Sequence, residues 1–401
     1  MTRPAGSPKK PHTPPQASGR LRRAWAEVDL DAIRHNTARL LEVVAPAQLC
    51  AVVKADAYGH GALEAARASL SAGASWLAVA LCEEGVKLRQ AGVDAPILVL
   101  SEPAPEAMGP CVEWGLSPTV FTEADIAGAE EAAASRGTTL RVHLKVDTGM
   151  HRAGVPPSQA LPMAQAAMAA PHLRFEGLWT HLALAEELDH DLTSTQLARF
   201  DNVLLSLRAA GLHPDLVHAA NSAGAIAHPV SRYDLVRCGI ALYGYPPSPA
   251  VAKVLSDLGF ELRPALSLKA RVSSCRWLPA GERVSYGQVR PLPQGSLVAT
   301  VPLGYADGVP RRLSGAGEVL IRGRRRPLAG TITMDQLLVD CGPDADVEVG
   351  DEVVLLGSQG AERIDALEWA AILGTISYEV LCDISPRVPR VATGGMLGER
   401  P

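Results

Sequence analysis

The chemistry-bearing residues of this 401-residue chain sit in short, glycine-punctuated stretches. In residues 51–62, AVVKADAYGHGA, an apolar run ends in Lys54 and a glycine-containing turn opens a helical segment. A lysine at a strand end can be desolvated enough to lower its amine pKa and act as a nucleophile toward a carbonyl, the requirement for a Schiff base. A different chemistry is suggested by ANSAG at 220–224, which approximates the GxSxG nucleophile elbow around Ser222 but lacks the first glycine. That reading leaves the lysine stretch unexplained. A phosphate-binding nucleotide loop, an HExxH zinc helix and a full GxGxxG are all absent.

The elements that must position these residues alternate regularly. Apolar runs at 49–54, 76–81, 97–101, 119–121, 140–146, 175–180, 216–220 and 235–237 read as eight strands. Ala-rich segments such as 62–72, 124–136, 159–169 and 195–210 read as the helices between them. Eight βα units in about 210 residues predict an α/β chain whose N-terminal part is a closed (β/α)8, TIM-like barrel with its chemistry at the strand ends. Near Pro264 period two replaces the helical period, with turns rich in Gly and Pro, which predicts a smaller, mostly β C-terminal domain carrying one helix at 365–373. The expected boundaries are a basic Pro-rich tail at 1–23, the barrel at 24–263, the β domain at 264–391 and a short tail at 392–401.

Composition excludes several function classes. Hydrophobic residues make up 47% and charged residues 20%, enough for a large core. No apolar run approaches the ~20 residues of a membrane helix. The net charge is −5 and aromatics are 4%, so neither a basic footprint nor stacking platforms favour nucleic acid. The first 23 residues hold six Lys/Arg and no acid, leaving 32 basic against 43 acidic residues, or −11, in the rest. With five prolines and no apolar h-region, that opening reads as a disordered tail and not a signal peptide. Seven scattered cysteines without a CxxC suggest neither disulfides nor a metal site, and the cytoplasm is the expected compartment.

Nine stretches in order, VVKADAYGHGA, LKVDTGMHRAGV, THLALAEE, HAANSAGA, VRCGIALYG, RVSYGQ, VPLGYADG, TITMDQ and TISYEVLCDISPRVPRV, resemble the alanine racemase family over roughly residues 24–391. The resemblance implies a pyridoxal 5'-phosphate enzyme that interconverts L- and D-alanine by a two-base mechanism and supplies D-alanine for peptidoglycan. A serine or broad-specificity racemase of the same family is the alternative. A barrel that binds the coenzyme without turnover would lack the β domain, and the related barrel decarboxylases carry other C-terminal motifs.

By that resemblance Lys54 holds the coenzyme and is one base, and Tyr286 in RVSYG is the other, because racemisation needs acid–base groups on both faces of Cα. His181 connects the tyrosine to Arg237. Arg237 faces the pyridine nitrogen and, as a group that only donates, leaves it unprotonated, while His218 supports Arg237. Ser222, Gly239, Ile240, Tyr58 and Tyr378 are implied to hold the phosphate. Arg152 and the Met334 backbone contact the substrate, Tyr305 and Asp307 line a narrow entrance, and Lys145 is the lysine that several members carry as a carbamate. The resemblance further implies a homodimer in which Tyr286, Met334, Tyr305 and Asp307 enter the partner's site. Two departures stand out: Thr333 where cysteine is common, and His151 between Met150 and Arg152.

Overall fold

The computed structural model describes residues 22–101, 104–343 and 345–395. Residues 1–21 of the expected tail lie outside them, whereas Arg22 and Arg23 do not. Eight parallel strands form the first sheet: β2 (Gln48–Val52), β3 (Trp76–Val79), β4 (Ile97–Val99), β5 (Ser117–Val120), β6 (Leu140–Lys145), β7 (Leu173–Trp179), β8 (Leu216–His218) and β9 (Leu235–Cys238). β9 pairs with β2 in register, and Asp234 N–H to Val217 O and Arg237 N–H to Ala220 O close the remaining seam between β8 and β9. All eight runs read as strands in the sequence are strands here. Most of their residues are apolar, and all but Gln48, Arg141 and Arg174 are buried, as a sheet covered on both faces requires.

The second sheet holds ten strands and contains the expected β domain, but it also takes a strand from the beginning of the chain. β1 (Ala24–Asp29) lies antiparallel to β10 (Leu266–Arg271) and parallel to the last strand, Arg390–Thr393. The first described strand, within the segment expected to open the barrel, therefore belongs to the second sheet, whose last strand runs to Thr393. The period-two signal of AWAEVD is legible in its burial, with Ala24, Ala26 and Val28 inward, but six residues directly before a helix blend into the helical pattern. Asp29 ends the strand and caps helix α1 (Leu30–Val44), its carboxylate accepting the Asp31 and Ala32 N–H groups. The C-terminal helix forms at Ala366–Leu373 with Asp365 as cap.

Asn36 fastens α1 to the crossing between the domains. Fully buried, it donates from Nδ2 to Leu242 O at 2.9 Å and Arg263 O at 2.8 Å, and accepts the Arg263 N–H at 2.9 Å. Among the described residues no helix is long and apolar enough to cross a membrane. Asn36→Ala would strand one buried and two part-buried backbone groups, so urea unfolding should show a loss of about 2 kcal/mol.

Candidate active site

Lys54 stands two residues past the end of β2, at the C-terminal mouth of the barrel where side chains from successive strands converge. The turn that carries it is left-handed: Ala55, Asp56, Ala57 and Tyr58 have φ of 52–56° and ψ of 41–49°. For non-glycine residues this conformation costs about 1 kcal/mol each, so the surroundings must impose it. Glu84 accepts the Ala55 N–H at 2.7 Å, and its other oxygen takes Ala80 and Leu81 N–H. Asp56 Oδ1 accepts Ala62 N–H, and Arg390, from the last strand, donates from Nε to Gly59 O at 2.9 Å. Neither Glu84 nor Arg390 was singled out from the sequence. Each acts on the turn through one long-range hydrogen bond, which leaves no local pattern.

The Lys54 amine is pushed below the usual lysine range by burial and then by Arg152, with Glu84 opposing. Lys145, at the end of β6, is lowered to about 8 by burial, Arg152 and Arg237. Four cationic side chains thus share one mouth, and burial together with mutual repulsion favours neutral amines or an anionic ligand among them.

Arg237, the third residue of β9, is buried and still cationic at neutral pH, its pKa lowered by burial to about 10. NH2 donates to Thr180 O at 2.9 Å and Ala219 O at 3.0 Å, and lies 3.3 Å from His181 Nδ1; NH1 lies 2.9 Å from His218 Nδ1. Both imidazoles are held well below their ordinary pKa, by burial first and then by Arg237, so both are neutral and accept through Nδ1. Trp179, missed in the sequence, backs this group: Arg237 Cζ and Lys145 Nζ lie 4.7 and 4.5 Å from its ring centroid, and His218 stacks on it at 5.7 Å.

Next to Arg237 is a cradle of neutral donors. Gly239 N–H donates to Ser222 Oγ at 2.9 Å, and a Cβ on Gly239 would lie 2.4 Å from the Tyr58 hydroxyl oxygen, so only glycine lets that phenol approach the backbone. Ile240 opens the turn after Gly239, and Tyr378, on the helix Ser377–Cys382, has its ring 6.0 Å from Tyr58. Burial pushes both phenols up, keeping their hydroxyls protonated. Ser222 Oγ is thus engaged by a backbone N–H within an anion-type cradle, which does not suit the hydrolase alternative.

The structure does not bring the remaining expected residues to this mouth within one chain. Tyr286, Met334 and Tyr305 belong to the β domain and are 73%, 53% and 44% exposed. Tyr286 follows Ser285, whose φ is 64°, and the turn is pinned by Ser285 Oγ to Thr331 O and Thr331 Oγ1 to Tyr286 O. Tyr305 N–H and Ala306 N–H bond to Thr333 O and Met334 O, so GYAD and TITM form one unit. Thr333 Oγ1 donates to Gln336 O and accepts Gln336 N–H, closing that turn.

Asp307 departs from expectation. It has no exposed surface, accepts the Gly304 N–H at 3.0 Å, and pairs with Arg22 at 2.6 Å and Arg387 at 3.4 Å. A fully buried carboxylate lines no entrance; it shapes the turn that presents Tyr305. Arg152 is exposed in the single chain, beside the cleft lined by Lys145, Met150 and His181. His151 sits at φ 55° with its side chain turned outward, 3.5 Å from Asp147 Oδ2.

A desolvated lysine at a barrel mouth, beside buried hydroxyls and a cation-fixed imidazole pair, defines a site of the barrel-enzyme class. Comparison with known proteins places the chain more closely. The alanine racemase N-terminal domain matches residues 28–247 and the C-terminal domain 265–392. An alanine racemase of Symbiobacterium thermophilum is 47% identical over 375 residues, 93% of this chain and 98% of that one. Solved alanine racemases from Streptomyces lavendulae and Streptomyces coelicolor align with TM-scores of 0.88 and 0.87 at 39% and 40% identity, each covering 94% of this chain and 98% of theirs. The chain belongs to the alanine racemase family.

The folded chain sheds the Lys145 proton at about 8, whereas an unfolded lysine keeps it to about 10.5. Between those values the unfolded state carries the extra proton, so stability should rise with pH across that window. Urea titrations of the ligand-free protein in bicarbonate-free buffer should show this rise, and Lys145→Gln should flatten it.

Proposed function

We propose that the protein interconverts L- and D-alanine with pyridoxal 5'-phosphate as coenzyme, acting as a homodimer in the cytoplasm and supplying D-alanine for peptidoglycan. The observation that carries this reading is the convergence of a desolvated lysine amine, a donor-only buried arginine and a hydroxyl-and-backbone anion cradle at one barrel mouth, in a chain of this family. The donor set fits the coenzyme. Ser222, Tyr58, Tyr378 and the backbone at Gly239 and Ile240 would take its phosphate, Lys54 its carbonyl carbon, and Arg237 its ring nitrogen. When bound, the coenzyme withdraws electrons from the substrate and acidifies Cα–H.

The chain's own residues then move the proton. Lys54, neutral at lower pH than an ordinary lysine, is suited to take or return it on one face. Tyr286 serves the other face. Because it is three-quarters exposed on the β domain, the partner's barrel is the mouth we assign it to, with Tyr305 and Met334 entering beside it. His181, fixed as an acceptor at Nδ1 by Arg237, has Nε2–H left to orient that phenol. Arg152 binds the substrate carboxylate. The neutral form of the Lys145 amine can attack CO2 at carbon and lose a proton to solvent, leaving a carbamate anion beside Arg152.

Tyr286→Phe should slow proton removal from L-alanine at least about a hundredfold, while exchange of the D-alanine Cα hydrogen through Lys54 falls far less; equal losses in isotope exchange would contradict the two-base assignment. Lys54→Ala should abolish racemisation and prevent borohydride from fixing the coenzyme to the chain. Mixing the Lys54→Ala and Tyr286→Phe proteins should restore part of the activity, because a mixed dimer contains one intact site, and absence of any recovery would rule out a shared site.

A further inference from the structure

Behind Arg237 the barrel interior carries buried polar side chains that the proposed chemistry does not use. His143 on β6 is fully buried, and Glu176 on β7 is 6% exposed. Together with His218 and Arg237 they form one line. NH1 of Arg237 is 2.9 Å from His218 Nδ1, His218 Nε2 is 3.0 Å from His143 Nδ1, and His143 Nε2 is 3.1 Å from Glu176 Oε2.

The direction of this line follows from its ends. A guanidinium has only donors, so His218 must accept at Nδ1 and carry its hydrogen on Nε2. That hydrogen points at His143 Nδ1, which therefore accepts, leaving His143 Nε2–H for a carboxylate that has only acceptors. Reversing either ring would set hydrogen against hydrogen at one junction and lone pair against lone pair at another. Two further groups hold the Glu176 carboxylate in place, since Ser117 Oγ donates to its Oε2 at 3.2 Å and Arg141 lies 3.6 Å from Oε1. Burial alone would raise its carboxyl pKa, but the His143 hydrogen bond, Arg141 and the Ser117 hydrogen bond outweigh burial and hold it below its ordinary value. Space for His143 comes from Gly177, where a Cβ would lie 2.1 Å from Nδ1. Among the described residues no carboxylate pairs with Arg237 itself; its partners are carbonyls and neutral rings.

We propose that Glu176 and His143 are positioning residues for Arg237: the carboxylate, acting through two imidazoles, fixes the His218 tautomer and so orients the guanidinium toward the coenzyme's ring nitrogen. The orientation toward that nitrogen rests on the function proposed above; the directed line does not. Two-bond 15N correlation spectra of histidine-labelled, coenzyme-free protein should show His218 and His143 each as the Nε2–H tautomer with a bare Nδ1.

Glu176→Gln keeps shape but replaces an obligate acceptor by an amide that also donates. It should let an Nδ1–H form of His143 appear, and after coenzyme is added lower kcat about tenfold with KM little changed. Glu176→Asp, which keeps the charge, should recover a single tautomer. Gly177→Ala, which displaces His143 sterically, should disturb His218 in the same way. An Nδ1–H His218 in the wild-type protein, a measurement that needs no variant, overturns the proposal, as do tautomers left unchanged by Glu176→Gln. Tautomers behaving as stated in a protein that does not racemise alanine would support the line and instead refute the proposed function.

Discussion

A cation that keeps its proton at neutral pH, buried away from water, sets the terms for the centre of this molecule. Arg237 must donate every hydrogen it has, so each neighbour has to be an acceptor, and the barrel supplies them from adjacent strand ends: Thr180 and His181 after β7, His218 and Ala219 at β8. Two imidazoles lose their pH switch as a result and become fixed dipoles. The same cation and Lys145 share the Trp179 ring. Closure of the barrel is what makes this arrangement rigid, since Arg237 N–H to Ala220 O is itself one of the seam's hydrogen bonds.

Both residues assigned as bases stand on backbone that would not adopt its conformation unaided. Lys54 opens a left-handed turn, and Tyr286 follows a serine at positive φ. In each case distant groups hold the strain: Glu84 and Arg390 at the first, Thr331 at the second. Arg390 belongs to the β domain's last strand, so the geometry of the barrel's lysine depends on that domain being folded.

Much of this was legible in the sequence. All eight barrel strands and the switch to period two near residue 264 could be read because long alternating segments carry strong periodic signals. The site residues came from resemblance rather than from spacing, since Lys54, Arg237 and Ser222 are scattered and converge only through the barrel. His143 is the instructive omission: it stands two residues before Lys145 on one strand and so shares its face, a relation visible in HLKVD itself. Glu176, Glu84 and Arg390 gave no such sign, because each acts across 29 or more residues. Asp307 was misplaced because a motif gives the residue's neighbourhood but not whether the carboxylate faces solvent or its own turn.

The placement of β1 between β10 and the final strand has a consequence for how the molecule is made. On a ribosome its first strand emerges some 240 residues before β10 and later still before Arg390, and must wait unpaired while the barrel assembles behind it. Completion of the second sheet is then the last step of synthesis, and with it comes the contact from Arg390 to the lysine turn. Chains that stop early would hold a barrel without the clamp on its reactive amine.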